Sequence, residues 1–243
     1  MNFLLVLLCT VVLVVALKKP IKKFPVLFYG IAVLLDVLFI CNAFVPFPRI
    51  VSSALLLLIH KCTLSLALFV VVMYIGVFAQ GSKVKTYLLP IRAELSIIAW
   101  ILSLGHMVVY LMSYVPQVSH GVEHMSGATL GALAVALVLF ALLLVLGVTS
   151  FNVVKKRMRK ESWKHIQMLA YPFFLLVYVH LLLMLLPAAL KGGLAAQASV
   201  AVYSIIFIGY IVLRLYRAIK DRGLRTDAIG GSASAIPESE KRL

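Results

Sequence analysis

Tyr171-Pro172-Phe173-Phe174-Leu175-Leu176-Val177-Tyr178-Val179-His180-Leu181-Leu182-Leu183-Met184-Leu185-Leu186 contains no permanently charged side chain. It sits inside a longer apolar stretch, residues 166–188. A helix needs roughly 20 such residues to cross the hydrocarbon core of a bilayer. The stretch therefore reads as a transmembrane helix with one imidazole inside it. Comparable runs recur at 2–17, 24–45, 51–79, 93–115, 126–150 and 198–216. The expected fold class is all-α integral membrane, a bundle of about seven transmembrane helices.

Composition agrees. Of the 243 residues 63% are hydrophobic and only 13% are charged, against about 25% charged in a soluble domain. The net charge of +15 sits in short blocks between apolar runs, the pattern that orients membrane helices rather than one that binds nucleic acid. Cys9, Cys41 and Cys62 are scattered through apolar sequence with no metal-like spacing, and they read as small buried hydrophobes. The first run lacks a preceding basic residue and is followed by Lys18, Lys19, Lys22 and Lys23. That order is inverted for a signal sequence, so a retained helix is expected. Leu8 is too large to precede a lipoprotein cleavage at Cys9.

Charge sets the sidedness. The four lysines after span one, Lys83, Lys85 and Arg92 after span three, the block from Lys155 to Lys164 after span five, and Arg214, Arg217, Lys220, Arg222 and Arg225 at the end of span seven fall on one side. The other side carries only Arg49, Lys61 and Lys191. The basic side is the cytoplasmic one by the positive-inside rule, with the N-terminus outside and the C-terminus in the cytoplasm. The third run is long for one crossing and is interrupted by His60 and Lys61, which favours an interfacial start.

Polar groups deep in lipid need a reason. His106 lies about fourteen residues into the run 93–115, and His180 about fifteen into 166–188. Both runs point outward, so at 1.5 Å per residue both imidazoles reach about 21 Å from the inner boundary. Two neutral imidazoles level with each other on two helices can hold a haem iron from both faces. They can equally be packing histidines bonded to backbone or hydroxyl groups. His60 and Lys61 stand near the outer end of the third run, where a cation can pair with haem propionates, draw an anionic acceptor, or snorkel to the interface. His120 and His124, with Glu123, lie in an outer loop and could bind a metal if that loop were helical. His165 closes the basic inner loop as an interfacial residue. Asp36, within the second run, suits an interhelical hydrogen bond or a proton or quinone contact. Trp163 and Tyr171 fit interface anchoring, and Trp100 fits core packing.

Two segments together resemble a known family. One is Ile91-Arg92-Ala93-Glu94-Leu95-Ser96-Ile97-Ile98-Ala99-Trp100, leading to His106 and Tyr110. The other is Trp163-Lys164-His165-Ile166-Gln167-Met168-Leu169-Ala170-Tyr171-Pro172, leading to His180. The pattern is similar to the ferric reductase-like transmembrane domain, whose superfamily includes the haem-binding membrane subunit of the methionine sulfoxide reductase system, the NADPH oxidases and the STEAP metalloreductases. The resemblance implies a six-helix haem-binding core over 24–216, an extra N-terminal helix and basic loop over 1–23, and a flexible cytoplasmic tail over 217–243. It makes His106 and His180 the axial ligands of one haem b on the outer side. Many members hold a second, inner haem on histidines about thirteen or fourteen residues earlier. Here those positions carry Arg92 or Ala93 and Ile166 or Gln167, so a single haem is expected. No fused dehydrogenase domain is expected either, with about 27 residues after the last run.

The implied function is a b-type haem electron-transfer subunit of a bacterial cell membrane, part of an oxidoreductase that needs partner subunits. Electrons would come from the quinone pool or a cytoplasmic flavoprotein and leave to an extracytoplasmic redox partner, a flavin or ferric iron. A quinone between helices, or FMN at the basic inner loop, would bridge the inner half of the bilayer. The alternatives from other classes are a small transporter or receptor-like protein without haem, with His106 and His180 in a polar cavity, and a structural membrane subunit.

Overall fold

A computed structural model describes residues 2–45, 47–119, 121 and 126–233, with side chains as far as Arg222. His120 and His124 lie outside the described residues. The described chain is helical: α1 (Asn2–Ala16), α2 (Lys18–Lys23), α3 (Pro25–Phe44), α4 (Arg49–Leu55), α5 (Thr63–Ile75), α6 (Lys83–Leu88), α7 (Arg92–Ser119), α8 (Gly127–Ser150), α9 (Asn152–Arg157), α10 (Lys160–Met168), α11 (Ala170–Leu190) and α12 (Leu194–Ala233). No strand occurs among the described residues.

Among the described residues, five helices are long and apolar enough to cross a membrane. A sixth crossing arises if α4, its π-helical extension Leu56–His60 and α5 count as one span bent by 43°. The remaining run, α1, has 15 residues. It is about 22 Å long at 1.5 Å per residue, short of the roughly 30 Å hydrocarbon core, so the count of seven expected from apolar runs is not reached by length alone. The last helix runs past the expected end at 216, because no proline interrupts it before Ala233 and Arg217 pairs with Asp221 one turn on, at 2.8 Å.

Helix α5 is the centre of the bundle. Ser65, Leu66, Ala67, Leu68, Val70 and Ile75 are buried around its whole circumference, as expected of a helix enclosed by others. It packs on α1 and α7; α7 packs on α3, and α11 packs on α8 and α12. Outward faces such as Leu137 and Val138 on α8 or Ile205 and Ile208 on α12 are apolar and exposed, the surface a lipid-facing helix presents.

Two glycines set the closest approaches to α7. A Cβ on Gly105 would run into the carboxyl of Asp36 on α3, and one on Gly147 of α8 would run into the indole of Trp100. Van der Waals packing between close backbones is the main force holding helices together in lipid. Gly147→Val should therefore destabilise the detergent-solubilised protein by about 1–3 kcal/mol, the usual cost of overpacking. Gly30→Ala, where a Cβ meets nothing within 4 Å, should melt like the parent. Indistinguishable melting of the two variants would contradict this packing.

Candidate functional site

The interruption at His60 and Lys61 is a real break, and it builds one wall of the site. Leu56–His60 widens into a π-turn, closed by the Lys61 N–H donating to the Leu56 carbonyl at 3.2 Å, and Cys62 then takes a left-handed φ of 54°. Breaks at this depth persist only where freed backbone groups find partners. The Cys62 N–H donates to the Ile59 carbonyl at 2.8 Å, and the Thr63 hydroxyl to the Leu57 carbonyl at 2.6 Å. The His60 carbonyl, at the end of the interrupted ladder, accepts from His106.

His106 stands on α7 with Nδ1 2.6 Å from that carbonyl oxygen. His180 stands on α11 with Nδ1 3.1 Å from the carbonyl oxygen of Ala132 on α8. A carbonyl oxygen only accepts, so in each ring Nδ1 carries the proton and Nε2 keeps its lone pair. Ala132 is small and buried, which lets an imidazole from the next helix reach its main chain. A backbone carbonyl fixing one ring nitrogen is the usual support of a metal-binding histidine.

Both imidazoles line one cavity of about 590 Å³, together with His60, Lys61, Tyr110 and Tyr114. That is within the ordinary range of small-molecule sites, roughly 300–1,000 Å³. The rest of its wall is mainly apolar and aromatic, with Leu66, Phe140, Phe173 and Val177 among the contributors. From His106 an aromatic column runs along α7 at helical spacing. The Tyr110 ring is 4.6 Å from His106 and 5.2 Å from His60, and Tyr114 stacks on Tyr110 at 5.9 Å. Beside the cavity Ser65 donates to the Ala99 carbonyl at 2.7 Å and pairs with Ser103, which ties α5 to α7 at the level of the histidines.

All four expected site residues thus meet at this cavity, but His60 does so through its carbonyl and its stacked ring. Lys61 is on the cavity wall with an exposed side chain. His165 lines neither this cavity nor a second, inner one of about 520 Å³ among α7, α8, α10 and α11. Asp36 is buried against Gly105 of α7 and is not part of the cavity lining, and its Oδ1 has no hydrogen-bond partner among the described residues. Trp163 donates to the Thr149 carbonyl at 3.0 Å and Tyr171 accepts from Arg214 at 2.6 Å, both at the basic end of the bundle. Among the described residues no three His, Cys, Asp or Glu side chains converge as a metal cluster. The Tyr110–Tyr114 column was readable from its four-residue steps after His106. The two carbonyl partners carried no sequence signal.

A bundle of long apolar helices with two imidazoles on one internal cavity defines a multi-pass membrane protein. Residues 61–178 match the family described as ferric reductase like transmembrane component. The match includes Lys61 and His106 and ends just before His180. A protein of Treponema pallidum (strain Nichols), described as uncharacterized, is 36% identical over 225 residues, which is 91% of this chain and 62% of that protein. The chain thus spans about three fifths of that relative's length. No solved structure matches the chain.

Thr63→Val removes the hydroxyl that caps Leu57 at the break. It should cost about 0.5–1.5 kcal/mol in thermal unfolding of the solubilised protein, the net value of one hydrogen bond. An unchanged melting temperature would mean that the break does not depend on this cap.

Proposed function

We propose that this chain is the haem-binding electron-transfer subunit of a membrane oxidoreductase. The observation that carries the reading is the pair of imidazoles on one apolar cavity, each with Nδ1 held by a backbone carbonyl and Nε2 left as a donor. This donor set suits a single haem b, which His106 and His180 would hold through Nε2. When bound, haem supplies one-electron chemistry that no side chain in the cavity can supply.

The chain's own residues have definable tasks. The His60 and Ala132 carbonyls orient the two rings and fix Nδ1 as the protonated nitrogen, which leaves the Nε2 lone pair for ligation. Phe140, Phe173 and Val177 exclude water. Lys61 offers a cation to propionates at the outer end, and His60 with Tyr110 packs against one ligand ring. Electrons enter from a quinol or a cytoplasmic flavin donor and leave on the outer side to a partner redox protein, a flavin or ferric iron. Partner subunits complete the enzyme.

In this reading the N-terminal helix is a seventh crossing. Phe3, Val6, Thr10 and Val14 form one buried stripe on α1 while Leu4, Leu8, Val11 and Val15 are exposed, so it lies along the bundle with a lipid-facing side. The basic ends face the cytoplasm. Green fluorescent protein fused after Leu243 should fluoresce in a bacterial host, and alkaline phosphatase fused there should be inactive. An active phosphatase would invert the topology.

The full chain purified in mild detergent should give a b-type reduced-minus-oxidised spectrum at one haem per chain. His106→Ala and His180→Ala should each abolish it while the protein still elutes as a folded species. A haem-free parent, grown with haem supplied, would favour the haem-free transporter reading. Two haems per chain would overturn the single-site assignment.

A further inference from the structure

Helix α5 ends at Ile75, and cations from three other helices gather around that end. Arg92 of α7 donates from Nε to the Val72 carbonyl of α5 at 3.2 Å. Lys85 of α6 donates from Nζ to the Phe78 carbonyl, just past the end of α5, at 3.2 Å. Helix α12 runs through the same level. Tyr74 donates to its Ile206 carbonyl at 2.7 Å, and the Tyr74 ring lies 5.6 Å from that of Tyr210. Arg214 and Arg217 come in the next two turns of α12. Arg214 donates to the Tyr171 hydroxyl at 2.6 Å, with its guanidinium 5.3 Å from that ring. The Lys85 charge is acted on through space by Arg217, Arg214 and Arg92, with Asp221 as the opposing acid. Lys85, Arg214 and Arg217 line neither of the two cavities.

Basic side chains at the end of a membrane helix ordinarily snorkel, with the stem on apolar surface and the charge in water. Arg217 does not. Its side chain is only 12% exposed, and its Nε is buried without a hydrogen-bond partner. The Asp221 carboxylate meets its guanidinium at 2.8 Å but is itself 43% exposed. Glu94, close to Arg92 in sequence, acts on Tyr29 of α3 and not on Lys85. Four cations therefore face one carboxylate. Partial burial weakens the screening of their mutual repulsion, and an anion at this point relieves it.

The surroundings say which anion. On α12, Ile208, Val212 and Leu215 are apolar and exposed, and on α6 so are Val84 and Tyr87. The cations thus stand where lipid-facing surface meets the basic rim of the bundle. A soluble phosphate ester has no use for that apolar surface. A phospholipid uses both parts, with its phosphate among the cations and its acyl chains along α12. Anionic lipids are concentrated in the cytoplasmic leaflet, and basic pockets between helices on that side suit headgroups with more than one negative charge.

We propose that Lys85, Arg92, Arg214 and Arg217 bind the headgroup of an anionic phospholipid with two phosphates, of the cardiolipin kind. The excess of cations over acids is why the doubly charged headgroup is favoured over a singly charged one. The bound lipid links α6 and α7 to α12 and so holds the last helix against the bundle. The assignment goes beyond the electron-transfer reading and does not depend on haem.

The test is native mass spectrometry of the delipidated full chain in mild detergent, titrated with cardiolipin, phosphatidylglycerol or phosphatidylcholine. One cardiolipin per chain should bind saturably, with phosphatidylcholine at least about tenfold weaker and phosphatidylglycerol between the two. The Arg214→Gln/Arg217→Gln double variant should weaken cardiolipin binding at least about tenfold, and Lys85→Gln alone about fivefold. Lys155→Gln/Lys164→Gln removes the same charge elsewhere on the basic side and should bind cardiolipin like the parent. Equal weakening by the two double variants would show attraction to net charge and overturn the site. Should the arginine double variant fail to elute as a folded species, Lys85→Gln decides, and parental binding by it overturns the proposal. Equal affinity for cardiolipin and phosphatidylcholine also overturns it. So does displacement of the lipid by equimolar inorganic phosphate, which would make the ligand a free anion.

Discussion

An imidazole inside a bilayer has no water to take its N–H, and an unpaired polar group there costs several kcal/mol. His106 and His180 each meet that demand in the same way, by donating from Nδ1 to a main-chain carbonyl on another segment. One hydrogen bond per ring satisfies the polar group, selects the tautomer and aims the other nitrogen. Everything proposed about the outer cavity depends on this pair of contacts. Without them each imidazole would be an unpaired polar group inside the bundle.

The surrounding architecture supplies the two acceptors by different means. At His60 the third crossing is broken, so a carbonyl near the end of an interrupted helical ladder lies within reach of α7. At Ala132 the helix α8 stays intact, and a small side chain lets α11 come close enough to share a carbonyl already inside it. The close approaches of Gly105 to Asp36 and of Gly147 to Trp100 hold α7 between α3 and α8. Ser65, bonded to the Ala99 carbonyl and Ser103, fixes its remaining side against α5. Helix α7 is thereby held from three directions, at Gly105, at Trp100 and at Ser103.

Much of this was legible before any coordinates. Apolar run length placed the helices, and residue counting put His106 and His180 level with each other. The interruption at His60 and Lys61 was visible, but not its geometry, because neither a π-turn nor a left-handed Cys62 has a strong local signature. The carbonyls of His60 and Ala132 could not be read, since a backbone acceptor is the same at every residue and only packing selects one. Nor could the inner cavity be read as such. Its cations were visible as topology signals, and only the folded chain brings Arg92, Lys155 and Lys164 to one cavity. The extent of α12 was missed because its end carries charge and glycine, which argue for a loop until a continuous helix is built.

Two cavities follow one another through the bundle, with the Phe69 and Phe173 rings between them, and His106 and His180 line only the outer one. Electron paramagnetic resonance of the oxidised, haem-loaded full chain is the most direct examination of the outer level. Two imidazoles on one iron predict a low-spin ferric signal that turns high-spin or vanishes when either His106 or His180 is replaced by alanine. A high-spin signal in the parent, or a low-spin signal that survives loss of His180, would show that the two rings do not share a metal.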